Sequence, residues 1–135
     1  MRKSSRSRSK INWHPASDIV FRIKYLVSSI GLDWVDLDNV HCVRSENANT
    51  RAYARIWGLG RIWQEALDLK PAYVLEVISE KFDRLSQEQQ DKILLHELAH
   101  IPRNFSGSLM PHTHRGTGSF HDKLHKMIAA YKKAN

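Results

Sequence analysis

Apolar residues recur at helical spacing in three stretches of the chain, and each stretch predicts a helix. The first spans Pro15 to Ile30 and is followed by Gly31, a typical C-terminal stop. The second ends before Pro102, and the third begins near Ser119. Its apolar stripe comprises Phe120, Leu124, Met127, Ile128 and Tyr131.

Two short segments and one longer segment have the composition of strands. Residues 40–44 and 52–57 form the short pair, separated by a polar turn at residues 45–49, and residues 71–79 read PAYVLEVIS. The segment from Trp57 to Trp63 contains two glycines, but not at the spacing of a phosphate-binding loop. We expect its large side chains to pack under the sheet. The pattern predicts an α+β fold with about three strands.

The composition is that of one globular domain. The chain has 135 residues, of which 41% are hydrophobic, including four tryptophans. Its single cysteine, Cys42, forms no internal disulfide and is expected in the core. There is no membrane-length apolar run and no apolar segment after the basic N-terminus, so we expect a cytoplasmic, intracellular protein.

The positive charge is concentrated at the N-terminus. The net charge is +7, and residues 2–10 contribute five basic residues and no acid, which leaves 16 basic against 14 acidic residues elsewhere. We expect residues 1–11 to form a disordered basic tail and residues 12–135 to form the domain. Such a tail favours solubility or acts as an arm that binds nucleic acid without sequence preference.

The central predicted helix carries the chemistry. Ser86 and Gln89 fit a capping box at its start, and the sequence His96-Glu97-Leu98-Ala99-His100 follows two turns later. Histidines four residues apart project from the same helix face, so both can bind one metal ion. The H-E-x-x-H pattern is typical of zinc hydrolases in which the glutamate acts as general base. It predicts His96 and His100 as Zn²⁺ ligands and Glu97 as the base.

A catalytic zinc ion needs a third protein ligand. No glutamate follows Glu97, and Asp122 is the only acidic residue after it, which excludes a downstream glutamate ligand. His121 and His125 lie on the C-terminal helix and are better explained as its polar face. His112 and His114 lie in a loop bounded by proline and glycine, and their spacing leaves both open as the third ligand.

Several short motifs together resemble a metallopeptidase family found in archaea and phages. They are His96 to Pro102, Phe105-Ser106-Gly107, Pro111-His112, Phe120-His121 and, upstream, Ala54 to Leu59 with Ile62-Trp63-Gln64. The resemblance covers roughly residues 50 to 131. The family is in turn similar in outline to the SprT-like zinc proteases, which act on proteins bound to DNA. It implies a zincin-like fold, zinc, and His112 as the third ligand. Where the SprT-like group has Gly-His-Gly, this chain has Gly116-Thr117-Gly118, so His114 remains an alternative.

These features predict a zinc metallopeptidase in which Glu97 takes a proton from a zinc-activated water. Arg115 or His114, next to the expected ligand, is the candidate partner for the oxyanion. In small zinc proteases the strand before the metal helix often forms the rim of the cleft, which here is the segment 71–79. The alternatives are a nucleic-acid-binding accessory protein with a structural or vestigial zinc site, and a metal-dependent nuclease.

Overall fold

The computed structural model describes residues 10–135, so most of the predicted tail lies outside the described residues. The fold is α+β, as predicted. The strands are β1 (Asn12–Pro15), β2 (Val40–Glu46), β3 (Ala54–Gly58) and β4 (Tyr73–Ile78). The helices are α1 (Ser17–Ile30), α2 (Arg61–Leu67), α3 (Ser79–Phe82), α4 (Gln87–Ala99) and α5 (Phe120–Ala134), with a short 3-10 turn at Leu37–Asn39.

The four strands form one mixed sheet in the order β1-β2-β4-β3. Strand β2 runs parallel to β4, with Cys42 opposite Leu75, while β1 and β3 are antiparallel to their neighbours. Strand β4 is paired on both sides. The prediction that the strand before the metal helix forms the rim of the cleft is therefore wrong, and β3 is the edge strand on that side.

Strand β1 was not predicted, because its residues are all exposed and show no alternation of apolar and polar positions. Pro15 still pairs with Val43 in the sheet, so α1 begins at Ser17 rather than at Pro15. At its other end, α1 stops at Gly31 as expected, with φ of 70° in the left-handed region that glycine favours.

Helix α2 was also missed, and its surroundings differ from the prediction. None of its residues is buried, so there is no apolar face for periodicity to detect. Trp57 and Trp63 are 52% and 58% exposed, which shows that the prediction of tryptophans packed under the sheet is wrong. The short helix α3, which directly follows β4, was likewise absent from the predicted elements.

The core lies between the sheet and the helices α1, α4 and α5. Leu94, Leu95 and Leu98 of α4 are fully buried. Helix α5 packs against α1 and α4, with Phe120, Met127 and Tyr131 buried along the predicted stripe. Cys42 is buried as expected. Within residues 10–135, no helix combines the length and the apolar character that crossing a bilayer requires.

Candidate metal centre

Helix α4 presents two histidines to one side of the molecule and leucines to the other. Its first turn is held by the predicted capping box, in which Ser86 accepts from the Gln89 amide and Gln89 accepts from the Ser86 amide. The helix ends at Ala99, shortly before Pro102. The rings of His96 and His100 lie one turn apart, with centroids separated by 5.3 Å.

The ring of His100 is fixed by two neighbours. Its Nδ1 lies 2.6 Å from the Met110 carbonyl oxygen, which can only accept, so Nδ1 carries the proton and Nε2 is free. The Met110 amide in turn donates to the His100 carbonyl at 2.7 Å. Phe120 stacks on the ring with centroids 4.4 Å apart. A ligand histidine oriented through its second nitrogen is a common arrangement in metal sites.

The loop before α5 brings a third imidazole to this pair. His112 Nε2 lies 3.1 Å from His96 Nε2, and its ring centroid is 4.5 Å from that of His100. One ligand nitrogen from each of the three histidines falls within 4.8 Å of the others, so the three could hold a metal ion. Of the two alternatives that the spacing left open, the structure brings His112 to the pair.

His114 lies elsewhere, with its ring centroid 5.6 Å from that of His121. The reason is local: the Thr113 hydroxyl accepts from the Phe120 amide at 2.9 Å, and the Thr113 carbonyl accepts from the His121 amide at 2.9 Å. These bonds fix the backbone between the two loop histidines at the start of α5. His112 then falls on the α4 side and His114 on the α5 side.

The position of the loop depends on a close backbone contact between two glycines, Gly58 and Gly107, to which sequence reasoning gave no structural role. A Cβ on Gly58 would overlap the Gly107 carbonyl oxygen, and a Cβ on Gly107 would overlap Gln64 and the Leu59 carbonyl. Gly107 also has φ of 96°, which a side chain would strain. The hydroxyl of buried Tyr73 accepts from the Gly107 amide at 2.7 Å and donates to the Ser108 carbonyl at 2.8 Å.

A buried lysine, which sequence reasoning also missed, supports the same loop from α5. Lys123 Nζ donates to the Ile101 carbonyl, contacts Met110 Sδ at 3.5 Å and lies 4.0 Å above the Trp34 ring. Burial, with a contribution from Arg103, lowers the pKa of Lys123 to about 8. Its signal in the sequence is weak, because one lysine between apolar positions is common on a surface helix.

Burial shifts the proton affinities of the central residues in opposite directions. It lowers the pKa of His96 to about 4, with further contributions from His100 and His112, and lowers the pKa of His100 as well. It raises the pKa of the Glu97 carboxyl to about 7. At neutral pH the imidazoles of His96 and His100 are therefore uncharged, which is the form that binds metals.

The three histidines and Glu97 lie in a cleft of about 650 Å³. One wall is the segment from Ala52 to Ile56, which contains most of edge strand β3. The other wall is formed by Lys92 and Ile93 of α4 and by Leu109 of the loop. Neither His114 nor Arg115 is among the described residues that line this cleft, because both follow Thr113, which is held at the start of α5.

Comparison with known proteins gives the family. The model of one protein family, described as "Putative phage metallopeptidase", matches residues 11–132. No curated protein and no solved structure matches the chain. The match extends the resemblance seen in residues 50 to 131 across α1 and β2, and membership implies a metal. This chain belongs to the phage metallopeptidase family.

Proposed function

We propose that this protein is a zinc-dependent peptidase, in which His96, His100 and His112 bind the ion and Glu97 is the general base. One observation carries the proposal. Three imidazoles with ligand atoms within 4.8 Å of one another share a cleft with a buried carboxylate. A structural zinc site is closed by four protein ligands, whereas three ligands leave a position for water or substrate. This difference favours an enzyme over an accessory protein with a structural ion.

The donor set fits zinc. Neutral imidazoles suit zinc among the metals common in proteins, and His100 already has Nε2 free because Nδ1 is bonded to Met110. When bound, zinc supplies Lewis-acid polarisation of the scissile carbonyl and makes water more acidic. A nuclease with two metal ions typically needs a cluster of carboxylates, and Glu97 is the only acidic residue that lines the described cleft.

Burial raises the pKa of Glu97 to about 7, and a zinc ion bound beside it would lower that pKa again, so the carboxylate form needed of a general base is available at neutral pH. As carboxylate it accepts a proton from the attacking water as the new C–O bond forms. As carboxylic acid it then donates that proton to the amine nitrogen as the C–N bond breaks. The carboxylate is thereby restored at the end of each cycle.

An extended peptide fits the cleft because β3 is an edge strand. Its outer backbone groups have no partner strand within the described sheet, so a substrate can add there as a further strand. Residues Ala54 to Ile56 of this strand line the same cleft as His96 and Glu97. Pairing at this edge would hold one peptide bond over the three histidines.

Zinc content and peptide hydrolysis of histidine variants test the proposal. We expect the wild type to hold about one tightly bound zinc per chain. His112→Ala should lose this zinc and also lose hydrolysis of casein and of quenched fluorescent peptides. His114→Ala, the matched control two residues away, should keep both, because its side chain points away from the cleft. Tight zinc binding that survives in His112→Ala and fails in His114→Ala would contradict the ligand assignment. Cleavage of single-stranded DNA without cleavage of any peptide would favour the nuclease.

A further inference from the structure

A second group of three histidines lies on the far side of the His112 loop. His121 and His125 are four residues apart on α5, as His96 and His100 are on α4. His114 follows His112 by two residues and approaches the α5 pair, with its ring centroid 5.6 Å from that of His121. Each of the two loop histidines thus faces a helical pair, one on either side of the fixed Thr113.

The second group shares with the first a pair of histidines four residues apart on a helix, but its rings are further apart. Ring centroids in the first group lie 4.5 to 5.3 Å apart, whereas His121 and His125 are separated by 6.4 Å. Among residues 10–135, only the first group has ligand atoms that all fall within 4.8 Å of one another. All three histidines of the second group are exposed, so other rotamers of their side chains are accessible.

The surroundings suit a cation held by imidazoles. The three rings line a depression of about 300 Å³ together with Ser119 and Asp122. The Asp122 carboxylate accepts from the Gly118 amide at 3.1 Å and forms an ion pair with Lys126 at 3.3 Å. It offsets the positive charge of Lys126 near the rings.

We propose that His114, His121 and His125 bind a second divalent transition-metal ion, separate from the one in the cleft. Imidazole nitrogens four residues apart on a helix chelate zinc, copper, nickel or cobalt, and a third imidazole from the loop adds a ligand. The ion binds more weakly than in the cleft, because these exposed rings must lose rotational freedom first. When bound, it links the loop after His112 to α5.

Calorimetric titration of metal-free, tag-free protein with zinc chloride tests this inference. A histidine tag must be absent, and residues 1–9, outside the described range, contain no histidine or cysteine. The wild type should bind two zinc ions with distinct affinities. The double variant His121→Ala/His125→Ala should keep the tight site and lose the weak one. His114→Ala should weaken the second site at least about tenfold, because losing a ligand costs no less than losing a residue that only supports one.

Two further proteins separate this inference from the proposed function. His41→Ala removes an exposed histidine of β2 and should leave both sites unchanged. His96→Ala/His100→Ala should lose the tight site and retain the weak one. A wild type that binds only the tight zinc, or a second zinc that persists in His121→Ala/His125→Ala, overturns the inference and leaves the cleft site unaffected. A wild type that binds zinc only weakly, with no tight site, would instead contradict the proposed function.

Discussion

Replacement of Asp91 by asparagine tests how three helices are held together beside the candidate metal centre. The Asp91 side chain on α4 is fully buried. It accepts two bonds from Arg22 of α1, at 2.7 and 2.6 Å, one from Tyr131 of α5 at 2.6 Å and one from Gln87 at 2.9 Å. Asp91→Asn keeps the size of the side chain but removes its charge and half of its capacity to accept from donors.

The expected loss of stability is large for one substitution. Removing one partner of a buried ion pair costs about 3–5 kcal/mol, and Arg22 is 29% exposed, so it regains some hydration. We therefore expect about 3 kcal/mol, near the lower limit. For a domain of this size that corresponds to a fall in Tm of about 10 °C. Tyr131→Phe, which removes one bond to the same carboxylate, should cost about 1.5 kcal/mol.

The effect should depend on pH in a defined direction. Burial alone would raise the pKa of Asp91, but the bonds from Arg22, Tyr131 and Gln87 outweigh it and hold the pKa below its usual value. The stabilisation is then present above the unfolded-state pKa of about 4 and is lost as pH falls through the lower folded-state value. The difference in unfolding free energy between the wild type and Asp91→Asn should therefore shrink below about pH 4.

Urea unfolding with EDTA at pH 7, 5 and 3 measures both quantities, since the chelator removes any contribution of bound metal. Glu88→Gln is the matched control, because it removes one carboxylate of the same helix that forms only an exposed pair with Lys92. A loss at pH 7 no larger than that of the control, or a loss that persists undiminished at pH 3, would refute the reasoning.

Two further substitutions test the support of the His112 loop and the buried lysine. Gly107→Ala should weaken zinc binding at least about tenfold, measured by competition with a chelating dye, because the new Cβ meets Gln64 and Leu59 and displaces the loop. Gly116→Ala is the control, since Gly116 also has positive φ but has open space where its Cβ would lie. Equal effects of the two substitutions would contradict the argument. Lys123→Met should remove a pH dependence of the unfolding free energy. Between the folded-state pKa of about 8 and the unfolded-state pKa of about 10.4, Lys123 binds fewer protons in the folded state, so the wild type gains stability relative to the variant as pH rises through this window. A difference in unfolding free energy that stays constant from pH 7 to 10 would refute this.

The helix with the H-E-x-x-H pattern was predictable because all its determinants are local. The cap at Ser86, the leucine face and the stop at Pro102 lie within a few residues of one another and depend on no distant partner. The apolar stripe of α5 was predictable for the same reason. Local pattern also sufficed for most of β2, where exposed His41 alternates with buried Val40 and Cys42, and for β4, which is rich in β-branched and aromatic residues.

The choice between His112 and His114 could not be derived from spacing, because it depends on contacts across the fold. Tyr73 fixes Gly107 from 34 residues away, and Thr113 is held by the start of α5. Strand β1 and helix α2 were missed for a different reason. Neither element has a buried residue, so neither shows an apolar pattern in the sequence. The structure of β1 depends on pairing with β2, and that of α2 on contacts through Gln64.

Peptide hydrolysis by zinc-loaded Glu97→Gln tests the central claim most directly, because glutamine keeps the shape of the buried side chain and removes only its capacity to accept a proton. We expect the variant to retain the wild-type zinc content and its kcat to fall by about 10²–10⁴-fold. Hydrolysis at the wild-type rate by Glu97→Gln, with its zinc in place, would contradict the assignment of Glu97 as general base.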